Sequence, residues 1–233
     1  MIKPVCVIVG VGPGNGSAFA RRFSKEGYRL VLLARSLEFI NQLASEIGDA
    51  YAYECDVTND RSIQLVFDRV KHELGQIDVV IYNAGSGYWG NIEKIKVEEF
   101  ELNWRVNTLG LFLVSQQIIP IMKEKGQGKM IVIGATASKR GGIQTAAFAP
   151  AKAAQRSLTE SMAKYLWPLG IHIALVIIDG IIDLPKTREH MPDKPDSFFV
   201  KPNDVASTVY FLTQQPSSTW SFEIEIRPLG EVW

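Results

Sequence analysis

The stretch Val9-Gly10-Val11-Gly12-Pro13-Gly14-Asn15-Gly16 has the composition of a phosphate-binding turn. It follows an apolar run, Val5-Cys6-Val7-Ile8-Val9, and precedes an amphipathic segment at 17–26, as a turn between a first strand and a first helix would. Glycines at 10, 14 and 16 let the chain turn tightly, admit a pyrophosphate close to the backbone, and start the helix near the strand. The helix N-terminus then offers free N–H groups to an anion. A glycine-rich turn without a ligand is the alternative, and the β-α-β continuation favours nucleotide binding. A second apolar run, 30–33, ends in Ala34-Arg35-Ser36. In a dinucleotide fold the residue after strand two faces the adenosine ribose, where a carboxylate binds the 2′-hydroxyl and a cation accommodates a 2′-phosphate. No Asp or Glu ends this strand, so Arg35 favours NADP over NAD, unless it is an ordinary solvated loop arginine.

The elements that must position these residues alternate between strand and helix. The first helix stops at Gly27, a short helix at 37–47 precedes strand three at 50–54, and Cys55-Asp56-Val57 comes next. Asp56 either contacts an adenine amino group or caps the segment after it. From Asp60, the side chains of Ile63, Phe67, Val70 and Leu74 share one helical face up to a stop at Gly75. Strand four, 78–82, opens into Asn83-Ala84-Gly85, small residues that leave room for a cofactor or simply make a tight turn. Helical stretches at 98–107 and 110–124 are separated at Asn107, whose side chain can interrupt a helix. Strand five, 129–133, opens into Gly134-Ala135-Thr136-Ala137-Ser138, and a long helix at about 145–167 carries Phe148 and Lys152 one turn apart. Strand six is 171–178. Residues 179–201 read as a loop, with Pro185, Pro192 and Pro195 breaking any helix; its length suits a lid over a site or a disordered insertion. A helix at 202–212 and a strand at 222–227 complete a single-domain, doubly wound α/β chain, with a parallel sheet in the order 3-2-1-4-5-6-7.

Composition narrows the partners. A chain of 233 residues supports one substantial core. Lysine plus arginine equals aspartate plus glutamate at 25 each, so no net field draws in nucleic acid or an anionic membrane, and a small molecule is expected. No apolar run reaches the length of a membrane span, and Met1-Ile2-Lys3-Pro4 carries no signal-peptide core, which predicts a cytoplasmic protein. Cys6 and Cys55 read as buried hydrophobes of a reducing compartment, without metal-ligand spacing.

Taken together, these motifs resemble the short-chain dehydrogenase/reductase family over essentially the full length. Residues 9–16 are similar to its T-G-x-x-x-G-x-G turn, with Val9 in place of the threonine, and Tyr82-Asn83-Ala84-Gly85 is similar to its N-N-A-G. Asp56 falls where the family has an adenine-contacting aspartate, and Asn107 matches the asparagine of its catalytic tetrad. Thr136 lies near the catalytic serine, with Ser138 the second candidate, and Lys152 matches the lysine of Y-x-x-x-K. The resemblance implies a Rossmann-type fold and hydride transfer between NADP(H) and a fairly apolar carbonyl or alcohol. It also implies nucleotide contacts at Gly10, Gly14, Asn15, Gly16, Arg35, Asp56, Val57, Asn83, Ala84, Gly85, Lys152, Gly180 and Ile182. Pairing of subunits through 98–124 and 145–167 would give a homodimer or homotetramer.

Phe148 departs from the pattern, standing where the family's tyrosine protonates a carbonyl or deprotonates an alcohol. General acid catalysis is worth about 10²–10⁴-fold, whereas positioning contributes roughly 7–11 kcal/mol in favourable systems. A slowed reductase with another proton donor is therefore expected, with a non-catalytic NADP(H)-binding module or sensor as the second reading. Asp179-Gly180 replaces the usual Pro-Gly and Arg227-Pro228-Leu229-Gly230 the usual D-G-G, both near the nicotinamide end. Tyr88, Lys139, Thr145 and His190 are the side chains to examine as replacement donors. Tyr165 lies 17 residues beyond Phe148, roughly 25 Å along the helix, and is too far away. Trp89, Met191, Phe198 and Phe199 are apolar enough to wall a substrate pocket.

Overall fold

The computed structural model describes residues 3–231; Met1 and Ile2 lie outside the described residues. Seven strands, β1 (Val5–Val9), β2 (Arg29–Ala34), β3 (Ala50–Glu54), β4 (Val79–Tyr82), β5 (Gly128–Ala135), β6 (Ile171–Ile178) and β7 (Glu223–Ile226), form one sheet. Their order is 3-2-1-4-5-6-7 and every neighbouring pair is parallel. Parallel strands covered on both faces read as continuous apolar runs; all of β1 and β6 is buried for that reason.

Two cores flank the sheet. On one face, Ile63, Phe67 and Val70 of α3 (Asp60–Leu74) pack with Leu111, Val114 and Ile118 of α5 (Gly110–Lys125) and Met162 and Leu166 of α6 (Phe148–Leu166). On the other, Phe19 and Phe23 of α1 (Asn15–Lys25) pack with Ile40 of α2 (Leu37–Ile47) and with Val205, Val209 and Leu212 of α8 (Pro202–Gln214).

The break expected at Asn107 is a π-turn. Helix α4 (Val97–Trp104) runs through Arg105–Leu109 directly into α5. Asn107 Nδ2 donates to the carbonyl of Asn103, one turn back, at 2.9 Å and to that of Ser86 at 2.9 Å. A side chain inserted into its own helical ladder accounts for the wider turn.

Residues 179–201 also differ from a plain loop. Pro185 opens a helix, α7 (Pro185–His190), at the first helical position, where its missing N–H and fixed φ are tolerated. Ile181–Ile182 pairs in parallel with Phe199–Val200, so the segment closes on itself. Arg188 ties it together by pairing with Asp183 at 2.7 Å and Asp196 at 2.6 Å. Cys6 and Cys55 are free and buried.

Candidate active site

A cavity of about 560 Å³ opens beyond the carboxyl ends of the first four strands, at the switch point between β1 and β4. Its walls include Gly10, Arg35, Asp56, Val57, Asn83, Ala84 and Gly85. Gly10 adopts φ +88°, and a Cβ there would meet Ala84 Cα at 2.5 Å, so the two turns touch through backbone. Asn83 Nδ2 donates to the Gly10 carbonyl at 2.7 Å and locks that contact. A Cβ at Gly16 would meet Val11 Cα at 2.7 Å, which keeps α1 close against the strand. Asp56 Oδ1 accepts from the backbone N and hydroxyl of Thr58, at 2.9 and 2.8 Å, and so caps the chain while facing the cavity. Arg35 is exposed at the rim.

Gly14, Asn15, Gly16, Gly180 and Ile182 are not among the cavity walls. Leu184, just before α7, is seated over Gly14, its Cδ2 2.9 Å from where a Cβ would lie. Asn15 Oδ1 and Asn107 Oδ1 are buried acceptors without a donor among the described residues. Unmet buried acceptors are costly, and a polar ligand group would relieve them.

The expected catalytic residues gather around the start of α6. Lys152 is 6% exposed; its Nζ donates to the Ile133 carbonyl at 3.0 Å and to Gln155 Oε1 at 2.9 Å. Gln155 Nε2 in turn donates to the Asn107 carbonyl at 2.9 Å. Burial disfavours the ammonium and lowers the Lys152 pKa to about 7. The Phe148 ring lies 6.0 Å from Lys152 Nζ and 5.2 Å from the Trp89 ring, tilted by 38°.

The two candidate hydroxyls are both engaged. Thr136 Oγ1 donates to Asp179 Oδ1, and Asp179 Oδ2 pairs with Arg227 and, at 3.6 Å, with Arg140. Ser138 is buried, and its Oγ accepts from the Ala135 backbone N at 3.2 Å. Asp179 is 4% exposed. Ile178 pairs with Ile226, so Asp179 and Arg227 leave two adjacent strands side by side. These two residues carry the departures noted after strand six and near the C-terminus; the signal was their charge, and register joins them. Gln155 carried no comparable signal.

The replacement donors are mostly committed elsewhere. Lys139 pairs with Glu223 at 3.2 Å and Glu225 at 2.9 Å, Thr145 bonds to Gly142, and a His190 ring nitrogen lies 2.6 Å from the Lys186 carbonyl. The hydroxyl of Tyr165 accepts from Lys123 at 2.9 Å. Tyr88 lines the cavity. No cluster of three or more His, Cys, Asp or Glu able to hold a metal occurs among the described residues, and none of their helices is long and apolar enough to cross a membrane.

A parallel sheet in this order, with a glycine turn at its switch point, defines a Rossmann-type fold. The family model for short chain dehydrogenases matches residues 4–194, and the chain belongs to that family. A short-chain dehydrogenase from Rhodopseudomonas palustris is similar at a TM-score of 0.84 and 30% identity, over 97% of this chain and 98% of that one. An alcohol dehydrogenase from the archaeon Thermococcus sibiricus, complexed with 5-hydroxy-NADP, gives 0.89 and 26% over 99% and 98%. The uncharacterised oxidoreductase YuxG of Bacillus subtilis (strain 168) is 30% identical over 187 residues, 77% of this chain, which spans 27% of the length of YuxG.

Proposed function

We propose that the protein is an NADP(H)-dependent oxidoreductase that acts on a fairly apolar carbonyl or alcohol and uses a proton donor other than tyrosine. The observation that carries this reading is the switch-point cavity walled by Gly10, Arg35, Asp56 and Asn83; the T. sibiricus relative holds an NADP derivative. The turn at Gly10, Gly14, Asn15 and Gly16 would hold the pyrophosphate, Asp56 and Val57 the adenine, and Arg35 the 2′-phosphate. Ala84, Gly85, Gly180 and Ile182 would enclose the remainder, with Lys152 donating to the nicotinamide ribose. When bound, the nicotinamide supplies or accepts the hydride. The orphaned oxygens of Asn15 and Asn107 fit a polar group arriving there.

Phe148 offers no proton, and Thr136 has its hydrogen directed at Asp179. Water, the Tyr88 hydroxyl on the cavity wall and the Ser138 hydroxyl, which accepts from Ala135 but donates to none of the described residues, are then the proton sources for a reduced carbonyl, and the tyrosine's general acid assistance of about 10²–10⁴-fold is forgone. Trp89 and Phe148 lie ring against ring at a 38° tilt, an apolar pair suited to walling the substrate. The exposed side chains of Phe100, Trp104 and Phe112 support a homodimer or homotetramer, and the free cysteines support a cytoplasmic location.

A second reading is favoured by the same pair of features: with Phe148 and a committed Thr136, the site is a nucleotide-binding module without chemistry. The experiment is NADPH binding together with NADPH consumption, over a panel of aldehydes, ketones and quinones, by the unmodified protein and by Phe148→Tyr. Turnover by the unmodified protein supports the enzyme. Binding with turnover in Phe148→Tyr alone supports the module, and absence of binding to NADPH and NADH overturns both.

A further inference from the structure

Gln155 lies one turn beyond Lys152 on the same face of α6 and is fully buried. Its amide spans a gap between two parts of the site, accepting from Lys152 Nζ and donating to the Asn107 carbonyl. Thr108 Oγ1 donates to the Ala151 carbonyl at 2.8 Å, so the π-turn and α6 are tied together beside this bridge. An ammonium has three hydrogens, and Ile133 and Gln155 take two of those on Lys152. One remains for a ligand. An amide passes a proton along such a chain only by way of its high-energy imidic acid, so the bridge conducts no protons between Lys152 and Asn107.

We propose that Gln155 is a positioning residue, which fixes Lys152 Nζ as a hydrogen-bond donor to the cofactor ribose and closes the path between Lys152 and the Asn107 carbonyl to water. The ribose part rests on the cofactor reading above. The groups around Lys152 are the carbonyl of Ile133 on β5, the π-turn at Asn107, and Phe148 and Gln155 on α6; burial alone accounts for the lowered pKa, with no charged neighbour contributing.

The test has two arms on the intact protein. In ¹³Cε-lysine NMR titrations without nucleotide, the resonance missing from Lys152→Met reports Lys152. Gln155→Met, close in size but without an acceptor, is expected to lower the Lys152 midpoint. Gln155→Glu places a carboxylate against the ammonium and is expected to raise it by about one unit or more. Unchanged midpoints overturn the clamp, and Gln155→Glu decides this arm alone where Gln155→Met does not fold.

The second arm is a cycle of NADPH dissociation constants. Lys152→Met and Gln155→Met are each expected to weaken binding about tenfold, as for loss of one charge-assisted hydrogen bond, and the double variant no further than Lys152→Met alone. Losses that multiply in the double variant show Gln155 acting apart from Lys152 and overturn the positioning role. An unmodified protein that binds no NADPH overturns the ribose role together with the cofactor reading, while the NMR arm still decides the clamp.

Discussion

Thr136 directs its hydroxyl hydrogen at Asp179, whose other oxygen is paired with Arg227. An aspartate side chain 6% exposed facing an arginine side chain 9% exposed is a buried ion pair. Removing one member of such a pair costs about 3–5 kcal/mol, whereas replacing both by apolar groups is often neutral. Arg227 keeps its pair with Glu225 at 3.2 Å, so Asp179→Ala is expected to lose at most that much stability in urea unfolding at pH 7, and Asp179→Leu with Arg227→Leu to recover most of it. A double variant as unstable as Asp179→Ala would count against this account.

Restoring a phenol at position 148 places an acid close to Lys152, because the Phe148 ring already lies 6.0 Å from its Nζ. Phe148→Tyr is expected to accelerate NADPH-dependent carbonyl reduction by about 10²-fold or more. Stopped-flow measurement at saturating nucleotide checks this, and an unchanged rate would show that the phenol is not what the site lacks.

The buried lysine makes stability depend on pH. Lys152 titrates near 7 in the folded chain against an ordinary value of 10.5. Between those values the unfolded chain binds more protons, so this group makes the folded state more stable as pH rises from about 7 toward 10.5. Lys152→Met lacks that dependence. The stability of the unmodified protein relative to the variant should improve as pH rises from about 7 toward 10.5, the window set by those two values; a constant difference would mean that Lys152 is not titrating in the folded state.

Arg35 tests cofactor choice. An exposed arginine at the cavity rim can make charge-assisted bonds to a 2′-phosphate, which are roughly worth tenfold to a hundredfold in affinity. Arg35→Asp should weaken NADPH by that range and leave NADH unaffected or tighter. Equal NADPH affinity in the two proteins would remove Arg35 from the nucleotide site.

The sheet order was legible because β-branched runs alternate with helical periodicity, and the glycine turn was legible because its neighbours on either side belong to different elements. What escaped depends on contacts between distant residues. The interruption at Asn107 was readable from its side chain, which bonds one turn back to Asn103, but its second bond, to the carbonyl of Ser86 21 positions away, is announced by no local pattern. Gln155 is defined by a partner 48 positions away. The charges at 179 and 227 read as separate departures until the register of β6 and β7 sets them together. Proline at 185 misled for another reason: it breaks a helix from within, but it also begins one well.

Leu184 occupies the ground over Gly14. An anion brought to that glycine would enter by displacement, and its affinity would be the difference between its own contacts and the apolar contact that Leu184 surrenders. On the cofactor reading proposed above, the strength of nucleotide binding would be set partly by how readily α7 lifts, and changes in α7 away from Gly14 would alter it. Association slowed by that lifting is the kinetic mark of such a competition.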